Sequence, residues 1–190
     1  MSALNLLVFR GEQRRVSGPE LKALLAGRLE LLRHCSSPDR FSQNDALLSA
    51  LLLAGELECG MADSDHSACP AELLTDGLAE AFLRREAGPN FQSPNLQNLA
   101  NAARALPVRG QLSISTPEGF AYYALHPLAY AEVLDRIPVP GNSLMVVGIR
   151  TIGATLSAVT AASARLRGMQ ARRITVRPQG HPYNRRTEFS

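Results

Sequence analysis

The 190-residue chain has no tryptophan, a single lysine (Lys22), and only four tyrosines and six phenylalanines. It also lacks any apolar run approaching the roughly 20 residues that span a bilayer. Met1-Ser2-Ala3-Leu4-Asn5 does not have the basic-then-apolar layout of a secretion signal. These absences predict a cytoplasmic chain with no membrane partner. Its three cysteines, Cys35, Cys59 and Cys69, are odd in number and irregular in spacing, which excludes a disulfide framework. Cys59, His66 and Cys69, even joined by His34, match no zinc spacing, so no metal site is assigned. Apolar residues nevertheless make up 45% of the chain, enough to fill the core of one domain, with or without a small appendage.

A second absence concerns charge of one sign. Between Arg136 and Thr187 there are nine arginines and no acidic residue, whereas Met1–Asp135 has eleven Lys+Arg against sixteen Asp+Glu. A basic stretch of this length predicts a local positive field. Every cation in it is arginine, whose planar fork suits phosphate and carboxylate oxygens. With no carboxylate nearby in sequence, the expected counter-ion is an external anion and not an internal partner.

Along the chain, Asn5–Phe9 reads as a short strand. Ser17-Gly18-Pro19-Glu20 opens a helix, with Leu21, Leu24, Leu25, Leu29 and Leu32 as its apolar stripe. Further helices are predicted at about Gln43–Leu57, Ala71–Arg85 and Asn95–Leu106, with Cys59–Pro70 as a loop. Gln111–Ser115 alternates with period two, as a strand does. Leu128–Arg136 reads as a helix. Leu144–Val147 is a continuous apolar run, expected of a parallel strand covered on both faces. An amphipathic helix from Ala154 to Leu166, closed by Arg165, Arg167 and Gly168, leads to a strand at Ala171–Val176. The predicted fold class is α/β: a mostly helical N-terminal segment (1–106) before a partial parallel-sheet domain (107–190), with one strand–helix–strand crossover.

Three places carry candidate chemistry. The loop Gly148–Thr155 joins a strand to a helix N-terminus. Its glycines would let amides approach a ligand, the helix dipole adds positive potential, and Arg150, Thr151 and Thr155 add donors. This is a phosphate cradle in physical terms, but neither a P-loop nor a dinucleotide fingerprint. The second place is Arg177, at the carboxyl end of the next strand, where ligand crevices form. After it, Pro178, Gly180 and Pro182 shape a loop presenting His181, Arg185 and Arg186. The third is Tyr122, Tyr123 and His126, bounded by prolines, which would hold a ring or base; packed core aromatics explain them equally well. Glu56 and Glu58 read as solvated helix-end charges. The whole reading requires Arg150 and Arg177 to face one crevice, free of carboxylates from the acidic N-terminal portion.

Val146-Val147-Gly148-Ile149-Arg150-Thr151-Ile152-Gly153-Ala154-Thr155-Leu156, followed by a helix and Arg173-Ile174-Thr175-Val176-Arg177-Pro178-Gln179-Gly180-His181-Pro182-Tyr183, resembles the first half of a bacterial phosphoribosyltransferase-like domain. Ala54–Cys59 and Pro117–Pro127 share the similarity more thinly. The resemblance implies binding of phosphoribosyl pyrophosphate, with Mg²⁺ supplied on that ligand. Arg150, Thr151, Ile152 and Gly153 would cradle the pyrophosphate and Arg177 would meet it. A closing loop would bring His181, Arg185 and Arg186 to the reaction. The family's other signature, paired acids followed by small and hydroxyl residues, has no match here, and the chain ends about where that half should begin. The resemblance therefore implies a protein partner or second copy covering an open sheet edge. Three functions remain open at this point: a phosphoribosyltransferase acting with a second half, a non-catalytic anion- or nucleotide-binding subunit of a complex, and nucleic-acid binding through 136–187. The last is disfavoured because only Tyr183 offers stacking within the basic stretch.

Overall fold

Period-two alternation in Gln111–Ser115 places Leu112 and Ile114 on one face, and both are buried. That strand pairs antiparallel with a partner far upstream. In the computed structural model, which describes residues 13–34, 40–64, 67–88, 95–115, 120 and 124–178, β1 (Gln13–Ser17) runs against β2 (Gln111–Ser115) from Gln13↔Ser115 to Ser17↔Gln111. The strand predicted at Asn5–Phe9 lies outside the described residues, as do Cys35, His66, Tyr122, Tyr123, His181, Arg185 and Arg186.

Helix α1 (Gly18–His34) begins where the sequence indicates, with the Ser17 hydroxyl accepting the Glu20 N–H at 3.3 Å. Leu25 and Leu29 face inward, but Leu24 is exposed, so the buried stripe is narrower than predicted. Helix α2 (Arg40–Ala62) continues through Cys59, Gly60 and Met61, which were expected to form a loop. Helix α3 (Cys69–Ala87) follows, then α4 (Leu96–Ala105), whose Asn95 cap accepts the Asn98 N–H at 3.2 Å. The helix predicted at 128–136 is two short turns, α5 (Pro127–Ala131) and α6 (Val133–Arg136).

The crossover is present. Strand β3 (Ser143–Ile149) leads into α7 (Gly153–Leu166), and β4 (Gln170–Val176) returns parallel to β3, from Ser143↔Gln170 to Ile149↔Val176. Gly168, at φ +82°, ends α7 as expected: its N–H meets the Arg165 carbonyl and the Met169 N–H meets that of Ala164.

Two features of this crossover also differ from expectation. Helix α7 is not amphipathic; it is buried nearly all round, from Gly153 to Ala164. Its small side chains let it fit between the β3–β4 sheet and helices α2 and α3, sharing one core with Leu51, Leu57, Leu78 and Phe82. Its polar groups bond to carbonyls, Ser163 to Ala131 and Thr160 to Tyr130 and Leu156. The second difference concerns β3, which the described residues cover on one face only. Met145, Val147 and Ile149 point away from α7 and are 55%, 48% and 59% exposed, beside the exposed Ile174 of β4. The fold is thus mixed α/β, mostly helical, with two small sheets of which one is parallel. No described helix is long and apolar enough to cross a membrane.

Candidate functional site

The site lies at the carboxyl ends of β3 and β4, where the chain passes from Ile149 into α7. Gly148 and Gly153 are required there by packing. A Cβ on Gly148 would stand 2.2 Å from the Gly153 carbonyl oxygen, and one on Gly153 would stand 2.8 Å from the Gly148 carbonyl carbon. These glycines bring strand and helix into contact, a structural role that stands beside the expected ligand approach. The Arg150–Thr151 peptide between them is cis. Ile152 precedes the first turn of α7, and no side chain caps that end.

Arg150 and Arg177 meet here, but they meet on Asp63, a carboxylate of the acidic N-terminal portion. The crevice free of such carboxylates that the sequence reading requires is therefore not present, and the expectation that no internal counter-ion neutralises the two arginines is overturned. Asp63, just beyond the end of α2, presents Oδ1 3.2 Å from Arg150 Nε and Oδ2 to an Arg177 Nη. All three side chains are at most one-quarter exposed. The Arg150 Nε–H is misaligned with Asp63, and neither it nor the buried Arg177 Nε–H forms a hydrogen bond among the described residues. One carboxylate is thus shared by two guanidiniums, and Arg150 also lies in the field of Glu72.

The remaining arginines of the basic stretch show why its field is smaller than its count suggests. Arg173 forks onto Glu58 at 2.7 and 2.8 Å and also engages Asp76. Arg165 pairs with Asp76, Arg167 with Asp135, and Arg136 with Glu132. Arg172 stands exposed on the outer sheet face. The nucleic-acid reading therefore loses most of the free cations it needs.

Glu58 is correspondingly not a solvated helix-end charge: it is 0% exposed. Burial disfavours the charge on Arg173, but bonding to Glu58 and the fields of Glu58 and Asp76 outweigh this and raise its pKa. Beside Glu58, the Cys59 thiol donates to the Thr151 carbonyl at 3.3 Å, fixing the loop to α2. Burial, reinforced by Glu58, pushes that thiol well above its usual pKa, so it is held as a neutral donor and not as a nucleophile.

Other predicted residues have structural work. Thr155 is 2% exposed, its hydroxyl set against Gly55, where a Cβ would come within 2.2 Å. It packs α7 on α2 and does not face the crevice. The His126 Nδ1 accepts the Leu128 N–H at 3.3 Å and caps α5, while its ring tilts against Phe82 at 6.3 Å. Sequence reasoning missed Asp63, Glu58 and Asp76 as partners. The signal that could have found them is the complementarity between an acidic N-terminal portion and an acid-free C-terminal one.

No family model matches the chain, and neither curated proteins nor solved structures provide a significant match.

Proposed function

We propose that this chain binds a phosphorylated small molecule, phosphoribosyl pyrophosphate or a nucleotide-like ligand, as a phosphoribosyltransferase-like protein or subunit. The observation that carries the reading is the convergence of Arg150 and Arg177 at the carboxyl end of a parallel strand–helix–strand unit. The uncapped start of α7 and the buried Nε–H groups of Arg150 and Arg177, without a hydrogen bond among the described residues, support the same class of ligand. Arg150, Thr151, Ile152 and Gly153 would face the pyrophosphate and Arg177 would close its other side.

The described residues do not suit a protein-held Mg²⁺. They contain no cluster of three metal-ligating groups, and Asp63 is engaged by two arginines. Any Mg²⁺ would arrive on the ligand. Transfer chemistry would rest on His181 and Arg185, together with Arg186, all outside the described residues.

The exposure of Met145, Val147 and Ile149 among the described residues favours a subunit role. A parallel sheet is ordinarily covered on both faces, and in this reading a partner chain or second copy supplies the cover.

Thermal melts with phosphoribosyl pyrophosphate and with inorganic pyrophosphate test the reading. At about 100 times Kd, a ligand selective for the folded chain stabilises it by about 2.7 kcal/mol. The gain should vanish in the Arg150→Gln/Arg177→Gln variant. Equal melting with and without either ligand would remove the proposal.

A further inference from the structure

We infer that Asp63 is an internal counter-ion that occupies the crevice until an external anion displaces it, so that ligand binding releases the C-terminal turn of α2. The inference rests on the anion-binding reading above and adds how that site is held closed.

The geometry carries it in three steps. First, the Asp63 carboxylate bridges the arginines assigned to the anion, one oxygen to each. It therefore stands where a phosphate oxygen would have to stand. Second, it fills that place incompletely. The two guanidiniums offer more donors than one carboxylate can accept, and both Nε–H groups are buried without a hydrogen bond among the described residues. A pyrophosphate, with more oxygens and more charge, can satisfy donors that Asp63 leaves bare. Third, Asp63 sits on a releasable element. Beyond Ala62 the chain leaves the helix, and the bonds at this turn include Asp63 N–H to Cys59 carbonyl at 2.9 Å and Ser64 N–H to Met61 carbonyl at 3.2 Å. Arg173, Glu58 and Asp76 anchor the same helices deeper in the fold. A movement of the turn would leave these ion pairs between the sheet and α2 and α3 in place.

The alternative is that Asp63 is a fixed strut that orients the arginines and remains when ligand binds. The two predict opposite signs. Calorimetric titration of the full chain with inorganic pyrophosphate should show Asp63→Asn binding about tenfold more tightly than the wild type, because a like-charged competitor has been removed. If the wild type binds and Asp63→Asn binds equally or more weakly, displacement is wrong while the anion site stands. If neither binds, the anion site fails and this inference with it. Hydrogen exchange on the wild type gives a readout independent of the variant's folding. The Asp63 and Ser64 amides should exchange faster at saturating pyrophosphate; unchanged or slower exchange overturns the displacement.

Discussion

Arg173 and Glu58, separated by 115 positions in sequence, form a two-pronged ion pair with side chains 3% and 0% exposed. The pair joins β4 to α2, and Asp76 of α3 joins the same guanidinium. The face of the sheet that carries Arg173 is thereby locked to the helical part of the molecule.

Removing one member should be far worse than removing both. Arg173→Ala leaves Glu58 buried without its main counter-ion and should cost about 3–5 kcal/mol in urea denaturation. The double variant Arg173→Met/Glu58→Leu should recover much of that loss, since an apolar pair of similar volume carries no desolvation cost. A single variant within about 1 kcal/mol of the parent would show that the pair is not buried as described.

The glycine contacts make a second prediction. Gly148→Ala forces β3 away from α7 and should destabilise by about 1–3 kcal/mol, the usual cost of overpacking. Gly55→Ala should be harmful for a different reason, collision with the Thr155 hydroxyl. Combining it with Thr155→Ala should relieve the damage. Additive losses in that double variant would mean the two residues do not touch.

What the sequence made legible, and what it hid, follows from the range of the interactions. The Ser17-Gly18-Pro19-Glu20 helix start, the alternation in β2 and the Gly168 stop are local patterns, and each element lies close to its predicted place. Glu58, Asp63 and Asp76 act on arginines about a hundred residues away, and no window of neighbouring residues reveals that. Helix α7 looks weakly amphipathic because of its Ala, Ser and Thr, although its run from Gly153 to Ala164 contains no charged residue at all. That absence marks a helix enclosed on all sides. In the loop, Gly148 and Gly153 stand out by composition alone, and their mutual close contact depends on how the strand meets the helix.

The outer sheet face gives a third prediction. Met145→Lys and Ile149→Lys replace exposed side chains and should change the stability of the isolated chain by no more than about 0.5 kcal/mol. If a partner or second copy covers this face, the same variants should abolish the association in sedimentation. A large loss of stability in the monomer would mean that the face is covered within the chain itself.

Glu56 and Glu72 predict a pH dependence. Burial, opposed by Arg14 and Arg28, raises the Glu56 pKa; burial, reinforced by Glu58, raises that of Glu72. Each carboxyl holds its proton more tightly folded than unfolded. The stability they contribute is therefore present below the unfolded carboxylate pKa and is lost as pH rises through the folded one. Urea midpoints between about pH 4 and about pH 7 should fall less steeply in Glu56→Gln/Glu72→Gln than in the wild type. Parallel profiles would contradict these shifts.

The central claim is best tested where it is made, on the guanidiniums themselves. With arginine side chains labelled by ¹⁵N, titration with pyrophosphate should move the Nε–H resonances of Arg150 and Arg177 together and leave that of Arg173 unmoved. Movement confined to other arginines, such as the exposed Arg172, with Arg150 and Arg177 unchanged at saturation, would contradict it.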